Sequence, residues 1–387
     1  MHRRIAVTAL AATMATTLAA TFAVAPAGAT IATTTTGTGR EDKRLVQEAA
    51  NDLAAFGITG VQALIRDGHR TTEARAGVAD VTTNRPVPKN GYFRIGSNTK
   101  TFVSVIVLQL VGEGRLRLDD PVERWLPGLV TGNGHDGSKI TIRHLLRHQS
   151  GLTEYLDDLQ LQTVEDFERH RFDHWEDEGL VRLALAHPPL FEPGTQWSYS
   201  NTNYILAGMV IKSVTGKPWH AHLQQRILRP AGMTQTVYPG DKADLPNPHA
   251  QAYEVFDPDG TRLDTTRWNA TAAGAAGGLV STPTDLSRFW QALQSGKLLR
   301  PAEFREMHQT VPLGDGVGYG LGIFFTPSEC GGFWGHDGGT PGMYTMNGVT
   351  SDGDRSVIIS ISSAPADPAN ASARAAQLVT DALCQDR

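Results

Sequence analysis

The chain is poor in cysteine, has no excess of basic charge and carries few of the standard ligand-binding signatures. Only two of its 387 residues are cysteine, too few for a disulfide-dense scaffold or a four-thiolate zinc site. Lys and Arg number 35 against 40 Asp and Glu, a net charge of 35 − 40 = −5, so the basic surface expected of a nucleic-acid partner is missing. No P-loop, HExxH or GxGxxG occurs. The most apolar segment after the N-terminus, 97–111, is too short to span a bilayer. With 19% charged and 40% hydrophobic residues, this is an ordinary globular composition. At roughly 150 residues per domain, the length suits two or three folded units.

The N-terminus reads as an export signal. Met1-His2-Arg3-Arg4 is a short basic start, Ile5 to Val24 is uncharged and rich in Ala and Thr, and Ala27-Gly28-Ala29 has the small-x-small form of a cleavage site. Residues 1–29 are therefore expected to be a signal peptide removed after Ala29. Its threonines make it too weakly apolar for a stable membrane anchor. A secreted protein, free or associated with the cell wall, is expected. Residues 30–40, rich in Thr and Gly, read as a flexible lead-in. Export would place Cys330 and Cys384 in an oxidising compartment, where one disulfide between them is the simple expectation.

Along the mature chain, apolar spacing at Leu45, Val46, Ala49, Ala50 and Leu53 predicts a helix over 41–56, stopped by Gly57. Strands are expected at 61–66 and 71–78, around Asp67-Gly68, and at 333–336, 343–349 and 356–362, the last two joined at Asp352-Gly353. A closing helix is expected over 367–384. The economical architecture is α+β: an antiparallel five-stranded sheet built from both ends and flanked by helices, with a mostly helical domain inserted. The boundaries are 41–96 plus 275–387 for the sheet domain and 97–274 for the helical one.

The segment 97–111 reads SNTKTFVSVIVLQLV, apolar nearly all round after its first turn, so it belongs in a core. Its polar start needs a reason. Ser97 and Lys100, three apart, share one helix face. The Ser97 amide lies in the first turn, where N–H groups have no helical partner and the dipole favours negative charge. A hydroxyl, an adjacent amine and a free amide are the parts of an acyl-transfer nucleophile. Alone, the pattern more often marks a helix cap with a solvated lysine. Two further motifs follow: Tyr199-Ser200-Asn201, before an apolar helix over 204–214, and His336-Asp337-Gly338-Gly339 at the end of a strand.

Ser-x-x-Lys, Tyr-x-Asn and His-x-Gly in this order resemble the serine β-lactamase and penicillin-binding family, on the side of the class C β-lactamases and the secreted D-alanyl-D-alanine carboxypeptidases of actinomycetes. The resemblance runs from Glu41 to Cys384 and includes Ile140 to Leu146 with Ser150-Gly151-Leu152, Tyr199 to Gly208, Gly277 to Thr282 and Tyr319 to Gly322. It implies the β-lactamase/DD-peptidase fold and a serine hydrolase without metal or other cofactor, expected to be monomeric, acting on small peptides, amides or esters and binding β-lactams. A D-alanyl-D-alanine carboxypeptidase acting on peptidoglycan-like peptides is the leading expectation. A β-lactamase, D-aminopeptidase, amidase, carboxylesterase or non-turnover penicillin sensor are the alternatives.

The resemblance also implies roles. Ser97 would be the nucleophile, with Lys100 as its base or as the partner of a Tyr199 phenolate. Tyr199 would pass a proton to the leaving group. Asn201 would bind Lys100 and the acyl amide, and His336 would stand beside Tyr199. The Ser97 and Gly339 amides would form the oxyanion hole, with Gly338 and Gly339 bare so that substrate can approach. Trp268 is a candidate cleft wall, with core packing as the competing reading.

Three departures bear on specificity. Asp337 stands where a threonine is common, Gly339 where a second can stand, and Ile323-Phe324-Phe325-Thr326 holds no arginine for a substrate carboxylate. An aspartate repels such a carboxylate, and phenylalanines do not replace a guanidinium fork. Esters, amides and peptides with a free amino end thus gain weight as substrates. The alternative is that Asp337 points away and Thr340 or another group holds the carboxylate. Thirteen histidines invite a metal reading, with His170/His174 and His144/His148 at helical spacing. The surroundings of the first pair are highly charged and read as a solvated helix, and the second lies in a segment like a structural helix of the family, so no metal is expected.

Overall fold

The computed structural model describes residues 38–159, 161–256 and 260–385. The signal-peptide reading of 1–29 and most of the lead-in lie outside them. The expected lead-in is shorter than proposed, because helix α1 (Thr38–Ala55) already begins at Thr38. Among the described residues no helix is long and apolar enough to cross a membrane.

The molecule is built on one ten-stranded sheet rather than five strands. Its strands are β1 (Gly60–Asp67), β2 (Arg70–Asp80), β3 (Arg85–Pro86), β4 (Val311–Gly314), β5 (Val317–Tyr319), β6 (Phe324–Thr326), β7 (Phe333–Gly335), β8 (Gly338–Thr340), β9 (Met343–Val349) and β10 (Arg355–Ile361). Their order is β4-β5-β6-β7-β9-β10-β1-β2-β3, with β8 pairing β9 off this path. The pairings are antiparallel throughout. Strand β1 is buried along six successive residues, as a central strand covered on both faces should be. The strand expected at 333–336 is β7, and a further short strand, β8, follows it after His336-Asp337.

The outer face of the sheet is covered by α1 and the closing helix α5 (Pro368–Cys384), with Val46, Leu53, Ile359, Leu378 and Val379 in their shared core. On the inner face lie α2 (Asn98–Gly112), α3 (Thr202–Thr215) and α4 (Pro283–Gln294). Helix α2 is buried along nearly its whole length, because its apolar residues face the sheet side, α3 and α4 at once. Cys330 and Cys384 are joined by a disulfide that ties the end of α5 to the loop between β6 and β7.

Candidate active site

Ser97 caps α2, and its backbone meets β8 edge-on. A Cβ on Gly338 would lie 2.1 Å from the Ile95 carbonyl oxygen, and one on Gly96 would lie 2.6 Å from the Gly339 amide. Only glycine permits this approach, and Gly96 also needs its positive φ of 52°. Buried amides lock the junction: Asn347 on β9 donates to Asn98 Oδ1 at 2.8 Å and to the His336 carbonyl at 2.7 Å, while Asn98 donates to the Ile95 carbonyl at 3.0 Å.

The fully buried Lys100 ammonium reaches three acceptors: Ser97 Oγ at 2.9 Å, Asn201 Oδ1 at 2.6 Å and the Ala276 carbonyl at 2.8 Å. Burial lowers its pKa to about 7, opposed by the Glu154 carboxylate. The Tyr199 ring lies 4.8 Å from Nζ. Burial raises the Tyr199 phenol well above its ordinary value, and a hydrogen bond with Ser97 opposes the rise. Ser97, Tyr199, Asn201, His336, Asp337, Gly338 and Gly339 all line one cavity of about 210 Å³, walled further by Tyr155, Leu156, Trp197 and Phe324.

His336 stands beside Tyr199, with ring centroids 6.3 Å apart. Its Nδ1 donates to the Asp337 carbonyl at 2.7 Å, which leaves Nε2 to accept from the Tyr319 hydroxyl at 3.3 Å. Burial, with Lys100 nearby, lowers the His336 pKa to about 3, so the ring is neutral. Trp268 is not among the residues lining this cavity. It is 5% exposed, with the Arg94 guanidinium 4.3 Å from its ring, so a buried cation takes the face expected to meet substrate.

Two residues emerge that the motifs did not assign. Glu154 accepts both the Asn201 amide and Asn201 Nδ2 at 2.8 Å on one oxygen, and the Leu156 amide at 3.1 Å on the other. It thereby fixes which end of the Asn201 side chain faces Lys100. Burial raises its carboxyl, and those N–H groups and Lys100 oppose the rise. His148 falls beyond the short helix Ile142–Leu146, so it does not share that helix with His144. It sits at φ 58°, with its ring 4.2 Å from that of Tyr199 and Nδ1 accepting the Ser200 amide at 3.2 Å. The only sequence signal for either was the Ser150-Gly151-Leu152 segment between them.

Such a nucleophile, amine and bare glycine strand on this sheet define a serine hydrolase. The β-lactamase family model matches residues 43–382, and the chain belongs to that family. A D-stereospecific amidohydrolase from Streptomyces sp. superposes with a TM-score of 0.82 at 38% identity, over 89% of this chain and 99% of that one. The D-amino acid amidase of Ochrobactrum anthropi SV3, complexed with L-phenylalanine amide, gives 0.75 at 28% identity over 88% and 99%. Penicillin-binding protein 4* of Bacillus subtilis is 32% identical over 286 residues, 70% of this chain and 60% of that protein.

Proposed function

We propose that this protein is an exported serine amidohydrolase that forms an acyl-enzyme at Ser97 and cleaves amides and esters of D-amino acids. One observation carries the substrate class: among the described residues lining the cavity there is no arginine or lysine, and the nearby Lys100 is bound to Ser97 and Asn201, while Asp337 and Phe324 are present. A substrate ending in a carboxylate finds no free cation there, and Asp337, whose carboxyl burial raises to about 7, offers it no positive charge either. An uncharged amide or ester leaving group avoids that cost. The apolar walls Tyr155, Leu156, Trp197 and Phe324 suit a large apolar side chain. The likeness to the two D-amino acid amide hydrolases points the same way.

A neutral Lys100 has two N–H groups and one lone pair. Asn201 Oδ1 and the Ala276 carbonyl take the N–H groups, so the lone pair faces Ser97 Oγ–H. Lys100 accepts that proton as Oγ attacks the carbonyl carbon. A phenolate at Tyr199 is the weaker candidate for base, because burial holds its proton on. Tyr199 instead relays a proton to the leaving nitrogen or oxygen, which departs as amine or alcohol. The Ser97 and Gly339 amides face the developing oxyanion. Water then cleaves the ester on Ser97. Export fits the Cys330–Cys384 disulfide.

The test is ammonia release from D-phenylalaninamide, set beside D-alanine release from a diacylated Lys-D-Ala-D-Ala peptide, with Ser97→Ala as control. Ammonia release that the control abolishes, with little D-alanine, is the expected result. The reverse ratio establishes the D-alanyl-D-alanine carboxypeptidase reading, which the penicillin-binding relative favours.

A further inference from the structure

The cavity that holds Ser97 does not end at β8. It passes the edge of that strand, where Gly338 and Gly339 carry no side chains, and continues on the outer face of the sheet beneath α5. Side chains alternate along β9, so Tyr344 and Met346 turn to that outer layer. They form the floor of a seam, with Ile361 beside them and Ala371 and Ala375 of α5 as its roof. Ala371 and Ala375 are four residues apart and so share one helix face. Their short side chains leave open the space that longer ones would fill in an ordinary helix–sheet contact.

We propose that this seam is an apolar subsite, continuous with the catalytic cleft, that takes an alkyl or aryl arm of the substrate's acyl half. The assignment rests on the acyl-enzyme reading above. Tyr199, the proton donor to the leaving group, stands on the helical side with Trp197 and His148. The seam opens on the opposite side of β8, so the acyl half is the part that reaches it. That half stays bonded to Ser97 after the leaving group has gone, so contacts made in the seam serve both acylation and deacylation.

The test reads binding apart from turnover. In Ser97→Ala protein, the Kd values of p-nitrophenyl acetate and p-nitrophenyl octanoate are measured by calorimetry. The leaving group is constant and only the acyl arm varies. Burying even part of the added methylenes predicts octanoate binding at least about tenfold tighter. Adding Ala375→Trp, or Ala371→Leu if the first variant melts early, fills the seam from α5 and is expected to erase that preference. Equal Kd values for the two esters, or a preference that survives both fillings, overturns the proposal. Turnover by the Ser97 enzyme is scored separately: a seam-dependent binding preference with no Ser97-dependent hydrolysis removes the hydrolase reading and keeps the subsite.

Discussion

At the scale of single residues, the chemistry turns on how Lys100 is held. Enclosure drives its proton off, while Glu154, through Asn201, both orients its partner and supplies the one opposing negative charge. The ammonium is the inactive form, because its Nζ then has no lone pair for Ser97. With p-nitrophenyl acetate, which does not titrate, kcat/KM is therefore expected to rise with pH through about 7 and level off above it. Glu154→Gln removes the charge that favours the ammonium, so the limb should move to lower pH while kcat falls through the disturbed Asn201. A limb that stays where it is would show that Glu154 acts on the site only through packing. The motif residues were legible because Ser97/Lys100 and Tyr199/Asn201 are each near neighbours in the chain. Glu154 and His148 were not, because their roles arise from contacts with a loop about fifty residues away, and no local pattern reports those.

At the scale of elements, the site depends on one backbone contact between the start of α2 and β8. Helices α1, α2, α3 and α5 were readable because apolar spacing and caps are local signals; Asp367, for example, accepts the Asn370 amide at the start of α5. Strand β8 was not, since its three residues, two of them glycine, show no strand pattern and its pairing with β9 is a contact the chain makes only once folded. Nor did the sequence decide between core and cleft for Trp268, because an aromatic residue suits either until its neighbour Arg94 is placed. Gly338→Ala tests the contact. The new methyl meets backbone, not a movable side chain, 2.1 Å away at the Ile95 carbonyl oxygen. The strand must shift by more than half an ångström, and misplacing the oxyanion donor by that much is expected to cost roughly a hundredfold in kcat/KM. Gly331→Ala, where nothing lies within 4 Å of the added carbon, is the comparison in open space, although its φ of 100° adds some local strain. Equal activity in Gly338→Ala and the parent enzyme would show that β8 does not carry the donor.

At the scale of the whole molecule, the first and last described elements close on one buried pair. Asp42 on α1 is 1% exposed and Arg355 on β10 is 6% exposed, and the two are directly hydrogen-bonded. Arg355 also donates to the Ala382 carbonyl on α5 and to Gln385 Oε1 at 2.8 Å. A sheet assembled from both ends of the chain needs its outer helices held in register, and this guanidinium touches both of them. The periodicity showed the strands nearest the termini and β7 but missed β4 to β6, because these are three or four residues each and show no period-two pattern. Truncating one partner leaves the other buried with only a longer contact, Arg70 at 3.5 Å for Asp42 and Asp67 at 3.5 Å for Arg355, so Asp42→Ala and Arg355→Ala are each expected to cost about 2–4 kcal/mol in urea unfolding. Neither lines the catalytic cavity, so kcat at 25 °C should hold while the folded state persists. The double replacement Asp42→Leu/Arg355→Met removes both charges at similar volume and should lose far less than the sum of the single variants. Additive losses would mean that the pair is not coupled, and that the helices are held by the apolar layer of Val46, Leu53, Leu378 and Val379 alone.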